Sequence, residues 1–252
     1  MQNVGYPMKS LQFYYEHSLA GYFCRRAKEK WLPYPPKSDF HGVTLQMDCL
    51  PRGMQQVLLD GDYEKDELII LPELVSATDQ VMEIGAAIGL VGLYCRKIIK
   101  VKNLVSVEPN PKTITYLRRN YELNGLAPNI IEAALTEVDG PVQFHTADMF
   151  WGDSLISVTG NGKQTTITVE GLSFPSLVRR AGFEFNVLIV DIEGAEQYIS
   201  IGSIPGHVNK ILIEIHPNVI GVRKAYNILE SLIHAGFIVQ GQSKNCWSLV
   251  RS

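Results

Sequence analysis

The spacing of apolar residues changes character along the chain. From residue 80 onward, short apolar runs alternate with segments of helical period. Val81, Met82 and Ile84, then Leu104, Val105 and Val107, then Val187 to Val190, then Ile211 to Ile213 are near-continuous apolar runs. Such runs suit strands buried on both faces. Helical spacing is expected over 88–99, 111–124, 174–181, 194–202 and 222–235, with further strands at 129–134, 237–241 and 246–250. Alternation of this kind predicts an α/β fold with a mostly parallel sheet and helices on both faces. The pattern breaks over 136–170, where 142–145 and 165–169 read as extended and flank a polar stretch containing Trp151. A long polar stretch inside a compact domain reads as a lid, a binding loop or a disordered segment.

The first 71 residues differ and are expected to form an N-terminal helical and short-strand extension to a main domain at 72–252. Leu11, Tyr15, Leu19, Tyr22 and Phe23 recur at helical spacing, which predicts a helix over 10–31 with Arg25, Arg26, Lys28 and Lys30 at its end. Candidate strands follow at 43–47 and 56–59, and a helix opens after Gly61-Asp62-Tyr63-Glu64.

Composition narrows the classes. The 252 residues carry a net charge of −3, so nothing draws the whole molecule to nucleic acid or to an anionic membrane. Cys24, Cys49, Cys95 and Cys246 are scattered, with no zinc or disulfide spacing. No secretory leader or membrane-length apolar run is visible, and the expectation is a cytoplasmic protein.

The chemistry concentrates at the ends of the apolar runs. The first leads into Glu83-Ile84-Gly85-Ala86-Ala87-Ile88-Gly89 and a helix. A strand, a small-residue turn and a helix N-terminus make a site for a nucleotide-like ligand. The G-x-G-x-x-G of dinucleotide sites is missing. The stretch instead resembles the first motif of class I S-adenosylmethionine (SAM) methyltransferases, which implies a Rossmann-like sheet whose last strand is antiparallel. Glu108, at the end of the second run about 20 residues past Gly89, is placed to accept ribose hydroxyls. The fourth run leads into Asp191-Ile192-Glu193-Gly194-Ala195-Glu196, and His216 ends the fifth. Ligands in open α/β sheets sit at these carboxyl ends. Acids there also serve as helix N-terminal residues, and a lone histidine can simply end a strand.

The Asp191–Glu196 stretch is similar to the D-[VI]-E-G-x-E signature of FkbM-type methyltransferases. Gly61-Asp62-Tyr63-Glu64, Glu83 to Gly89, Glu108-Pro109-Asn110, Glu132-Ala133-Ala134-Leu135 and Ile213 to Pro217 resemble that family's other motifs, in order, over about 43–217. Glu83 stands where an Asp is usual, and Ala87 where an Asn is usual. The resemblance implies a SAM-dependent methyltransferase acting on a hydroxyl of a sugar, glycolipid or polyketide-like molecule. Glu64, Glu83, Gly85, Ala86, Gly89, Glu108, Pro109, Ala133, Ala134 and Asp191 are the expected cofactor residues. Asp191, Glu193 and His216 are the expected catalytic ones. Asp191 could act as base, orient a ligand, or hold a divalent cation with Glu193 or Glu214. Direct action is favoured over a metal.

The expected partner is a small-molecule or glycan-like methyl acceptor, with nucleic acid disfavoured. The N-terminal helix is a surface through which two copies could pair. A methyltransferase for protein or RNA, docking through residues 25–30, and a SAM-binding protein without catalysis are the alternatives.

Overall fold

The computed structural model describes residues 34–146 and 165–251. The expected helix over 10–31, its basic end and Trp151 lie outside the described residues. From Pro36 the chain forms one compact unit.

It opens with a hairpin, β1 (Lys37–Phe40) and β2 (Val43–Gln46), followed by α1 (Arg52–Asp60) and α2 (Lys65–Leu74). Residues 56–59, expected as a strand, lie inside α1. Met54, Gln55 and Leu58 are its buried positions, a helical spacing that the short apolar run conceals. Next come β3 (Gln80–Ile84), α3 (Leu90–Tyr94, continued by a wider π turn over Cys95–Ile99), β4 (Asn103–Val107) and α4 (Pro111–Leu123). The expected strand 129–134 is instead two short pieces, β5 (Ile130–Ile131) and β6 (Ala134–Thr136), which join different sheets. After β7 (Gly140–Thr146) and β8 (Thr165–Ser173) come α5 (Phe174–Arg180) and β9 (Val187–Val190). Two single 3₁₀ turns, Ala195–Tyr198 and Ile201–Ser203, stand where a helix over 194–202 was expected. The chain ends with β10 (Lys210–Glu214), α6 (Pro217–Ile220), α7 (Val222–His234), β11 (Ile238–Ser243) and β12 (Cys246–Val250).

The main sheet runs β11-β12-β10-β9-β3-β4-β5. The pairs β3–β4, β3–β9, β9–β10 and β4–β5 are parallel; β12 is antiparallel to both neighbours. This is the Rossmann-like class I methyltransferase sheet, with its antiparallel last strand. A second sheet, β6-β8-β7, contains an antiparallel β7–β8 ladder whose final pair is Thr146 with Thr165.

Alternation along each strand divides the core in two. Val81, Ile189 and Leu212 point into one apolar cluster, shared with Leu71 of α2, Leu93 of α3 and Leu117 of α4. Met82, Ile84, Leu188, Val190, Ile211 and Ile213 point into the other, against Leu177, Ile228 and Leu232. The hairpin packs into the first cluster through Val43 and Leu45. Its backbone donates to side chains of α4 and of the residue that caps it, Gln46 to Asn120 at 2.9 Å and Thr44 to Asn124 at 3.0 Å.

Candidate functional site

The two edges of the sheet treat their acids differently. At the amino edge Asp79 is fully answered: Lys210 Nζ lies 2.6 Å away and the Asn186 amide donates at 2.7 Å. These bonds fasten β3, β9 and β10 and hold the Asp79 carboxyl below its ordinary range, against the effect of burial. At the carboxyl edge acids accumulate instead. A two-residue period carries Asp191, beyond Ile189, and Glu214, beyond Leu212, to the face that α2 covers. The start of α2 carries Glu64 and Glu67 to the same place.

Between this edge and β6–β7 lies an open cleft. Of the residues expected at the site, Glu64, Gly85, Glu108, Pro109, Ala133, Ala134, Asp191 and Glu193 line it. Tyr63, Ala87, Thr113, Leu135 and Phe144 also line it, and sequence reading assigned these no role there. Phe144 reaches the cleft from a strand of the second sheet, a placement that local pattern could not reveal.

The turn after β3 is shaped by backbone. Gly85 and Ala86 donate to Val107 O at 2.9 and 3.2 Å, and Gly89 donates to Ala86 O at 2.8 Å. Gly85 has φ +93°, and a Cβ there would sit inside the contact radius of the Asp191 carbonyl oxygen. Its glycine is therefore demanded by the approach of the β9 exit as well as by the cleft. Glu108 Oε2 accepts the Ala87 N–H at 3.0 Å, and Oε1 accepts the Asn110 N–H at 2.9 Å.

Several expected site residues lie elsewhere. Ala86 and Gly89 shape the turn from below and do not line the cleft. Glu83 points away from it, into the core beneath α3, where it is 1% exposed and Oε2 accepts the Ser106 hydroxyl at 2.5 Å. A Cβ on Gly92 would lie 2.7 Å from that oxygen, so this glycine makes room for the acid. Burial pushes Glu83 up to about 7, against the bonds from Ser106 and the Gly92 backbone. Glu83 is thus a structural acid in this fold.

His216 stands behind Asp191 and Glu193. Its Nε2 is 3.6 Å from Asp191 Oδ1, 3.5 Å from Glu193 Oε2 and 3.9 Å from Glu214 Oε1. Its Nδ1 is 3.5 Å from Glu196 Oε1, an ion-pair distance longer than a well-made hydrogen bond. Burial works against its charge, but Glu196, Glu193 and Glu214 together raise it to about 9. A histidine that keeps its proton at neutral pH steadies its carboxylate neighbours and is no proton acceptor there. Glu196, fully buried, accepts the backbone N–H of Gly194 and of His216, each at 2.7 Å. It ties the exit of β9 to the exit of β10, a structural task for the third acid of that stretch.

Asp191 is held well above the ordinary carboxylate range, first by burial and then by Glu64, Glu214, Glu67 and Glu193. Glu64 is raised likewise by burial and Glu67, and Glu67 is raised to about 7 by burial and Glu214. Ligand atoms of Glu64, Glu67 and Asp191 lie within 4.8 Å of one another, as do those of Asp191, Glu193 and His216. Glu64, Ala87 and Glu193 have positive φ without being glycine, at +52°, +44° and +47°. Backbone of this kind is held in place by its surroundings and gathers at functional sites.

A family model, the TRM5/TYW2 methyltransferase domain, matches residues 59–150, which contain α2, the β3 turn and Glu108. No curated protein matches. Among solved structures the chain is similar to methyltransferase FkbM from Methylobacillus flagellatus KT, at 14% identity and TM-score 0.47 over 75% of this chain and 46% of that one. It is similar to ribosomal protein L11 methylase from Lactobacillus delbrueckii subsp. bulgaricus, at 9% identity and TM-score 0.46 over 76% and 80%. It is also similar to Pyrococcus abyssi tRNA (uracil-54, C5)-methyltransferase, at 15% identity and TM-score 0.43 over 87% and 44%. The chain thus spans less than half the length of the first of these.

Residues 59–150 are thus similar to a methyltransferase domain. One expectation is corrected. A small-molecule or glycan-like acceptor, with nucleic acid disfavoured, gives way to the TRM5/TYW2 match, which points to a nucleic-acid substrate. Overall charge misled because it averages over the whole surface, whereas an acceptor is chosen locally. No helix among the described residues is long and apolar enough to cross a membrane.

Proposed function

We propose that this chain is a SAM-dependent methyltransferase that acts on RNA, delivering a methyl group to an acceptor atom that gives up a proton. The observation that carries the reading is the TRM5/TYW2 match across residues 59–150. The cleft fits the cofactor by its chemistry. Glu108 would hold ribose hydroxyls, the Gly85–Ala87 turn the amino-acid end, and Val107, Ala133, Leu135 and Phe144 the adenine. SAM, when bound, supplies a methyl group already activated on a sulfonium.

The chain supplies alignment and proton handling. Asp191 and Glu193 stand together at the cleft, steadied by the His216 cation. A carboxylate raised by burial accepts a proton far better near neutral pH than an ordinary one. The strand end reads Asp191-Ile192-Glu193-Gly194 and lacks the aromatic that amino-group methylases place against a base. That sequence and the FkbM-type stretches favour an oxygen acceptor, so an RNA hydroxyl comes first and a ring N–H second.

The test is to incubate the protein and methyl-labelled SAM with total RNA, digest to nucleosides and identify the labelled one by mass spectrometry. Label on a ribose oxygen or on a base ring nitrogen is expected. Unlabelled RNA from a protein that binds SAM normally would overturn the reading.

A further inference from the structure

We propose that Glu64, Glu67 and Asp191 form a binding site for one hard divalent cation at the back of the cleft. The site takes its donors from two elements, Glu64 and Glu67 from the start of α2 and Asp191 from the end of β9. Their nearest ligand oxygens lie within 4.8 Å of one another. Glu67 provides the independent sign. It is 4% exposed, and its Oε1 is buried without a hydrogen-bond partner. Asp191 Oδ1 is likewise buried without a hydrogen-bond partner, with His216 Nε2 3.6 Å away.

A buried carboxylate oxygen without a partner bears a desolvation cost that a positive charge removes. Among the described residues no ion pair reaches Glu64 or Glu67. His216 meets Asp191 but spends its charge on Glu193, Glu196 and Glu214 as well. Lys244, near the same corner, is paired with Asp66 at 2.8 Å. The α2 N-terminus contributes only a fractional charge.

The donor set selects the ligand class. Three carboxylates with no nitrogen or sulfur suit Mg²⁺, Mn²⁺ or Ca²⁺ rather than softer metals. Because Glu64 and Asp191 also line the cleft, coordination positions remain open toward it for water or for an oxygen of the acceptor. The competing arrangement keeps the group neutral with protons, and it predicts no metal affinity.

The inference does not depend on the acceptor being RNA, and its test uses neither SAM nor RNA. The SAM-free protein is titrated with Mn²⁺, and bound and free ion are separated by electron paramagnetic resonance. One bound Mn²⁺ per chain, displaced by Mg²⁺, is expected. Glu67→Gln should weaken it about 10–100-fold, and Glu193→Gln should change it by less than about 3-fold. If Glu67→Gln does not fold, Glu64→Gln takes its place. Absence of binding at millimolar Mn²⁺, wild-type affinity in the Glu67 or Glu64 variant, or loss of binding in Glu193→Gln would each overturn the assignment.

Discussion

The Glu108 carboxylate accepts the Ala87 N–H at 3.0 Å, so the acid that ends β4 also holds the turn that follows β3. Its second oxygen holds Asn110 at the start of α4. One side chain therefore fixes two backbone segments while facing the cleft. Glu108→Ala should weaken SAM binding by ~10–100-fold, since a charged acceptor is worth about 1.5–3 kcal/mol and the turn loses its anchor. Isothermal calorimetry decides this, and unchanged affinity would place the cofactor elsewhere.

Asp191→Asn should lower methyl transfer by ~10²-fold or more, with SAM affinity nearly kept. His216→Gln tests the same residue from behind. The His216 cation favours ionised Asp191, so removing it should raise the Asp191 pKa further. The acid limb of the kcat/KM profile should then move to higher pH. A limb that stays in place would mean that His216 does not govern this carboxylate.

Glu83 gives a stability prediction with a definite sign. Its folded pKa, about 7, lies above the ordinary carboxylate value of 4.5. Between those values the folded state binds more protons than the unfolded one, so stability falls as pH rises through this window. The span corresponds to roughly 3 kcal/mol for the one group. Glu83→Gln should therefore flatten the decline in melting temperature between pH 5 and pH 8. An undiminished decline in the variant would assign it to other acids.

Gly85→Ala should destabilise the domain by about 3 kcal/mol or more, combining left-handed backbone with overpacking against Asp191. Denaturant melts of the variant check this. A loss of SAM binding at full stability would instead mean that only the ligand requires this glycine.

The sheet was legible because its strands are buried on both faces, and a run such as Val187 to Val190 suits little besides a buried strand. The same clarity made Asp191, Glu108 and Gly85 visible, since the carboxyl ends of such strands are where ligands sit. Residues whose meaning depends on a distant partner were harder to read. Glu67 looks like any acid in a first helical turn, and only the packing of α2 over the sheet shows it buried beside Glu64 and Asp191. Glu83 was misplaced for a related reason. A fingerprint records spacing, and the strand's alternation sends this side chain inward to Ser106. The 194–202 segment carries helical spacing, but its acid Glu196 is taken up by the backbone of Gly194 and His216, and only single turns form.

The β7–β8 ladder ends with Thr146 opposite Thr165. The ladder therefore ends in one doorway, a cross-strand spacing of about 5 Å. Closing that doorway with a two-residue turn would preserve every register pair of the ladder, because loop closure becomes easier as loops shorten toward a hairpin turn.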